Sequence, residues 1–416
     1  MSGFEIGLLA LGGMGLLVIG GMFVPIALIL CSFLGVWAIK GSPVLAAKML
    51  GLAANDAIAS YFFGVVPLFV LMGFLVSESG IGRDAFDVAN ALFAAVTGIS
   101  IASAAVFTKI AVPEMRRHGY TERFAVGVVA GSSVLGMLIP PSLLLILFGL
   151  LAEQSIGDLF VAGIGPGIVL ALLFGVGTVL MAVFAPGFVG APERAATQAL
   201  GSAALLAKGL PITGLIVLVL GGIYAGFFTP VEAGAIGAIG ALMLGLFKRR
   251  LTVAALWRVL IDTGLVTASV CFLIIAAQMY SRMLAFSGVP LSFGQMAASA
   301  ELGILGLIAV YVLVVIALGM ILDSASIMLI LVPLMLPIVA PMGVDLVWFG
   351  IVTVIAVEIG LLTPPFGVSV YVIKSTLDDD SVSLTDIFVG AAPFALMMLL
   401  CLILVILFPP IATGLL

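Results

Sequence analysis

Residues 136–142 read GMLIPPS and residues 360–367 read GLLTPPFG, and both lie inside apolar runs where an unbroken helix does not accommodate two consecutive prolines. Proline lacks a backbone donor and its ring clashes with the carbonyl one turn back, so each pair predicts a break in a helix. In hydrocarbon, freed backbone groups persist only when buried in protein or lining a cavity. The same interruption, once in each half, points to a membrane site that uses backbone atoms.

The surroundings fix the class of protein. Of 416 residues, 64% are hydrophobic and 8% charged, and the mean hydropathy is +1.42. A soluble domain carries about 25% charge. Long apolar stretches recur at 4–39, 61–76, 157–185, 210–247, 303–341 and 385–415. Several exceed one straight span across a hydrocarbon core of about 30 Å and must be tilted, broken or paired. The pattern predicts an all-α, polytopic membrane protein. No cleavable signal peptide is expected, because the first apolar segment starts at Phe4 without a basic region before it.

The charged residues are few and clustered. Arg116, Arg117 and Arg123 form one group; Lys248, Arg249, Arg250 and Arg258 form another, which reads as cytoplasmic. Asp378, Asp379 and Asp380 mark a solvated loop. Cys31, Cys271 and Cys401 are scattered in apolar stretches and read as small buried hydrophobes. There is no phosphate loop, no Cys/His metal spacing and no intramembrane nucleophile with a base, so an enzyme, a nucleic-acid partner and an organic cofactor are not expected. Glycine strings such as GVGTV (175–179) read as helix-packing positions.

The chain repeats itself. At an offset of 224, Pro140 and Pro141 fall on Pro364 and Pro365, Pro113 on Pro337, and Gly119 on Gly343. Near the start of each half the offset is 208, with SESGI (77–81) beside AFSGV (285–289). Gly80 to Gly98 spans 18 residues but Gly288 to Gly319 spans 31, so the first half is short by about one small helix before Phe93. The expected division is a first repeat over 1–186, a linker over 187–208 and a second repeat over 209–416. Each repeat would hold a hairpin and a broken helix, at about 89–150 and about 303–373. Two such repeats, commonly inverted, are the signature of a secondary transporter.

Each half pairs two breaks: TGISIAS (97–103) with GSSVLGMLIPPS (131–142), and GMILDSAS (319–326) with EIGLLTPPFG (358–367). Carbonyls at a half-helix C-terminus, joined by hydroxyls, suit Na⁺; amides at a half-helix N-terminus suit a carboxylate. Ser132 and Ser326 are hydroxyls of this kind within the breaks. The candidate substrate contacts are Thr97, Gly98, Ser142, Pro364 and Pro365. The blander alternatives are kinks packed against neighbours and hydroxyls bonded back to their own helix. Asp323 and Glu358 are carboxylates in apolar stretches, which are costly there and functional by default. Asp323 sits in a break and is the favoured cation ligand; Glu358 could instead meet a helix N-terminus or a loop cation. Lys109 and Arg282 read as snorkelling to the interface, and His118 as a loop residue.

Four stretches carry a resemblance: FAAVTGISIASAAVFTKIAVPEMRRHGY, GVVAGSSVLGMLIPPSLLLILFGLLAEQSIGDLFVAGIGPG, LGGIYAGFFTPVEAGAIGA and VEIGLLTPPFGVSVYVIK. In combination they resemble the large membrane subunit of TRAP (tripartite ATP-independent periplasmic) transporters. The resemblance implies about 11 transmembrane helices in two inverted repeats with two re-entrant hairpins, an elevator-type movement, and Na⁺-coupled uptake of a small organic acid with two or more ions. It also implies a periplasmic substrate-binding protein and a small four-helix membrane subunit as partners, in the cytoplasmic (inner) membrane of a bacterium or archaeon. Carried over by motif, the candidate Na⁺ ligands are Ser100, Ser103, Ser132 and Ser133 at the first hairpin site, and Gly319, Asp323, Ser324, Ser326, Thr363 and Gly367 at the second. The first repeat begins almost at Met1, so the small subunit is expected as a separate chain. Family members usually carry an extra stretch before FAAVTG, which fits the shortfall seen in the internal repeat. The rival readings are a stand-alone Na⁺- or H⁺-coupled carboxylate symporter, a passive channel and, last, an intramembrane hydrolase.

Overall fold

The computed structural model describes residues 1–59, 61–79, 108, 111–113, 115–116, 119–190, 209–211, 213–299, 303–365, 367–377 and 382–416. Helices account for nearly all of the described elements, with one isolated bridge between Tyr120 and Gly190 among the described residues. The first half supplies α1 (Gly3–Ile19), α2 (Val24–Lys40), α3 (Pro43–Ala59), α4 (Val65–Glu78), α5 (Glu122–Leu138), α6 (Leu143–Ala152) and α7 (Ile156–Phe184). The second supplies α8 (Pro230–Phe247), α9 (Val253–Ser287), α10 (Val289–Ser299), α11 (Ile304–Gly319), α12 (Ser324–Val339), α13 (Leu346–Leu362), α14 (Val368–Leu377) and α15 (Leu384–Leu407).

Among the described residues, five apolar segments of 18 residues or more are suited by length to cross a membrane, one of them running from Glu122 across the diproline to Ala152, beside eight shorter apolar helices of 10–17 residues. The over-long stretches are resolved as expected. Residues 4–39 fold as the pair α1 and α2, and residues 303–341 as the pair α11 and α12. Residues 157–185 remain one helix of 29 residues. The longest helix among the described residues, α9 with 35 residues, falls outside the apolar stretches singled out in the sequence. At 1.5 Å per residue it extends about 52 Å, well beyond the hydrocarbon core, so it tilts or projects. Its two arginines form ion pairs with other helices: Arg258 with Glu78 at 2.7 Å, and Arg282 with Asp56 on α3.

The repeat appears in the element boundaries themselves. Helix α5 and helix α13 each run 17 residues, and both of their ends differ by 224. Each stops before a diproline, and each is followed by a helix of 10 residues. Both Pro–Pro bonds are cis, and Gly119 and Gly343, at equivalent positions, both have positive φ. The N-caps correspond too: Thr121 accepts from the Phe124 amide at 3.2 Å, and Asp345 from the Val347 amide at 2.8 Å. Single prolines do not have this effect, since α12 runs through Pro333 and Pro337.

Packing cuts across the two halves. Helix α9 is the axis of one group, lying against α1, α2, α3 and α4, with α8 packed on α4. Helix α15 is the axis of the other, lying against α5, α7, α13 and α14. Helix α11 joins this second group through α13, and α12 links the groups by touching both α9 and α6. Close approach replaces hydrophobic contrast as the driving force, as expected where the solvent is lipid. Helices α5 and α15 meet at Gly127 and Gly390, where a Cβ on Gly127 would lie 2.1 Å from the Gly390 carbonyl oxygen. Gly177 packs on Met397, whereas Gly175 in the same GVGTV string faces open space. Outward faces stay apolar, with Leu172, Phe247, Leu313 and Leu396 exposed. All three cysteines are buried and free.

Candidate functional site

The second half brings its two breaks together. The chain leaves α11 at Gly319, passes Met320 to Leu322, and enters α12 after Asp323. Against this turn lies the break between α13 and α14. Gly360 faces Gly319 so closely that a Cβ on Gly360 would sit 2.6 Å from the Gly319 Cα and 2.8 Å from the Ile316 carbonyl oxygen. The Gly367 amide donates to the Met320 carbonyl at 3.1 Å, with Gly367 at φ +54°. The Ser324 hydroxyl donates to Glu358 Oε1 at 3.3 Å. Three separate links thus tie the hairpin turn to the broken helix.

The diproline leaves carbonyls without their ordinary donors. In an unbroken helix, the amides of residues 364 and 365 would bond the carbonyls of Gly360 and Leu361. Both are proline and cannot. Gly360 is served instead by the Thr363 amide at 3.0 Å. Leu361 receives no backbone amide among the described residues, and neither do Ala317 and Gly319 at the end of α11. The first break repeats the logic: Pro140 and Pro141 stand where donors to Gly136 and Met137 would be, and Ile139 still donates to Leu135 at 3.0 Å. Gly136 and Gly360 are themselves equivalent at the offset of 224. The broken helices lie against one another, with α5 touching both α13 and α14.

Most of the candidate hydroxyls also have a structural task. Ser132 donates to Val129 at 3.2 Å, Ser133 to Ala130 at 2.8 Å, and Thr363 to Ile359 at 2.6 Å, each within its own helix. A hydroxyl that gives away its proton keeps its lone pairs, so back-bonding leaves the oxygen able to face a cation. Ser142 is the N-cap of α6, accepting from the Leu145 amide at 3.3 Å. Asp323 is the N-cap of α12: it accepts from the Ser326 amide at 3.2 Å and from the Ser326 hydroxyl. Pro140 and Pro141 are buried, while Pro364 and Pro365 are exposed, so the second break opens outward and the first does not. Thr97, Gly98, Ser100, Ser103, Lys109 and His118, with the first hairpin and most of the linker, lie outside the described residues.

Two features were under-read in the sequence. Glu358 is 1% exposed and belongs to the site through Ser324, whereas the more prominent Asp323 is engaged in capping. Behind them, Tyr311 on α11 reaches Thr353 on α13 at 3.1 Å. Thr353 donates its own proton to Phe349 at 2.8 Å, so Tyr311 is the donor of this bond. The Tyr311, Phe349 and Phe148 rings run in series beneath the site, with centroids 4.9 and 6.0 Å apart. Among the described residues no three His, Cys, Asp or Glu side chains gather as a metal cluster. The oxygens on offer are carbonyls, hydroxyls and isolated carboxylates, which suit a hard monovalent cation better than a transition metal.

Comparison with known proteins places this geometry in a family. The model of the tripartite ATP-independent periplasmic transporter, DctM component, matches residues 11–93 and 85–411. The two segments meet at 85–93, within the stretch where the internal repeat predicts a shortfall. The chain is 31% identical to the C4-dicarboxylate TRAP transporter large permease protein DctM of Pseudomonas aeruginosa, covering 88% of this chain and 89% of that one. It is 30% identical to the sialic acid TRAP transporter large permease protein SiaM of Vibrio cholerae, covering 96% and 95%. Among solved structures, the Alcanivorax borkumensis YdaH transporter shares the fold, with a TM-score of 0.62 at 15% identity over 88% of this chain and 89% of that one.

Proposed function

We propose, since this chain belongs to the DctM-component family of tripartite ATP-independent periplasmic transporters, that it imports a small organic acid by Na⁺-coupled secondary transport. The chain is a multi-pass membrane protein and a large permease subunit of that family. The cargo class is drawn from relatives whose names specify a C4-dicarboxylate and sialic acid, both of which carry a carboxylate. A periplasmic binding protein delivers the acid and a small four-helix subunit braces the permease in the cytoplasmic membrane of a bacterium or archaeon. The chain is a transporter and not an enzyme, and it moves the hairpins and broken helices against the α9 group in an elevator-type step.

One observation carries the sodium assignment: the Ala317, Gly319 and Leu361 carbonyls lack backbone donors among the described residues, where the hairpin turn and the second break meet. Freed carbonyls in a membrane chain need a partner, and a dehydrated Na⁺ supplies one. The ion also provides the drive. A tenfold gradient yields about 1.4 kcal/mol, and one elementary charge crossing 100 mV about 2.3 kcal/mol. Two Na⁺ entering with a monoanion would collect both. Na⁺ near the site neutralises the anionic cargo for the crossing.

The test is uptake into proteoliposomes holding this chain and its small subunit, with the binding protein and labelled acid outside. Uptake that requires both an inward Na⁺ gradient and the binding protein is expected. Concentrative uptake without the binding protein would favour a stand-alone symporter, and sodium-independent uptake would reject the coupling.

A further inference from the structure

We infer that Glu358 is a positioning residue that acts on the ion through Ser324, a role distinct from direct ligation and resting on the sodium reading of the second break. Glu358 lies on α13 two residues before Gly360, so it is fixed by the same helix end that presents the freed carbonyls. Its Oε1 accepts a hydrogen bond from the Ser324 hydroxyl at 3.3 Å, and both side chains are buried, at 1% and 6% exposure. A hydroxyl has one proton to give. With that proton directed to α13, the Ser324 lone pairs are turned away from Glu358 and are left for another partner. Ser324 opens α12, and the positive end of that helix favours a carboxylate beside it, which suits Glu358 to the acceptor role.

Asp323, three residues from its donor Ser326, serves the same helix end in another way: it closes the cap. The two carboxylates thus divide one task. Asp323 stops the helix from fraying, and Glu358 sets the orientation of the first hydroxyl inside it. Outer partners that orient a ligand typically change metal affinity by about 10–100-fold when removed.

The test measures the sodium-dependent rise in melting temperature of the purified permease complex, in NaCl against KCl at equal ionic strength. Glu358→Met, which has no acceptor oxygen, raises the sodium concentration for half the shift about tenfold. A merely structural role would lower the melting temperature by the same amount in both salts and leave the half-point where it is in wild type. Glu358→Gln keeps an acceptor oxygen and restores most of the response. Ser324→Ala weakens the response similarly, and the Ser324→Ala/Glu358→Met double variant is no weaker than either single one, because both remove the same link. Should Glu358→Met fail to fold, Glu358→Ala replaces it. A Glu358 variant with the wild-type half-point, or additive losses in the double variant, overturns the positioning role alone. A wild-type complex that melts identically in both salts overturns the sodium reading, and this role with it.

Discussion

Gly319 and Gly360 meet backbone to backbone, so that a methyl group on either would fall within 2.7 Å of the other's Cα. No side chain can yield at that distance, because both neighbours are main chain. This contact sets the separation of α11 and α13 and brings the hairpin turn within hydrogen-bonding reach of the second break. Gly360→Ala should therefore destabilise the protein by about 1–3 kcal/mol, the usual range for forced overpacking, and abolish uptake. Gly15→Ala, with nothing within 4 Å of the added carbon, is the matched control and should melt like wild type. Thermal melts of the three proteins in one detergent check this.

Gly367 holds the other side of the break. Its left-handed φ disfavours any other residue by about 1–2 kcal/mol, and an added Cβ would lie 2.8 Å from Phe388. Gly367→Ala should lower the melting temperature. It should also weaken sodium response, since the amide that ties Met320 to the break moves with the residue. A normal half-point for sodium in a folded Gly367→Ala protein would separate this tie from the ion site.

Asp323 can be tested for charge apart from capping, because Asn caps a helix about as well as Asp. Asp323→Asn should leave the melting temperature in KCl nearly unchanged. If the carboxylate faces the ion as well as Ser326, the sodium concentration for half-maximal uptake rises; an unchanged value confines Asp323 to the cap seen here.

Ser142→Ala removes the acceptor for the Leu145 amide at the start of α6. The expected cost is about 1 kcal/mol of stability, read as a lower melting temperature. Substrate KM should not move, since the hydroxyl is buried in the cap. A raised KM at normal stability would show that Ser142 contacts the substrate as well as capping α6.

The architecture was legible where a rule of backbone chemistry has no exceptions. Two adjacent prolines remove two donors in succession, so GMLIPPS and GLLTPPFG announce their breaks in any context, and the offset of 224 carries straight into the ends of α5 and α13. Helix α9 was hidden because Arg258, Asp262, Gln278 and Arg282 interrupt its apolar run. Two of these are satisfied by Glu78 and Asp56, 180 and 226 positions away, which no local window sees. The site was legible as regions and not as atoms. Asp323 and Glu358 look alike in sequence, yet one caps a helix and the other receives a hydroxyl from a residue 34 positions away. Thr363, Ser132 and Ser133 have the right chemistry for an ion, but whether the proton goes to their own helix depends on rotamers. The duplicated glycine at 136 and 360 was the one unused signal that would have marked the close approach.

The most direct measurement is the melting temperature of the wild-type complex as NaCl replaces KCl at equal ionic strength. Na⁺ should stabilise the complex by about 2.7 kcal/mol at one hundred times its dissociation constant. Equal melting in the two salts would contradict a sodium site built from the freed backbone.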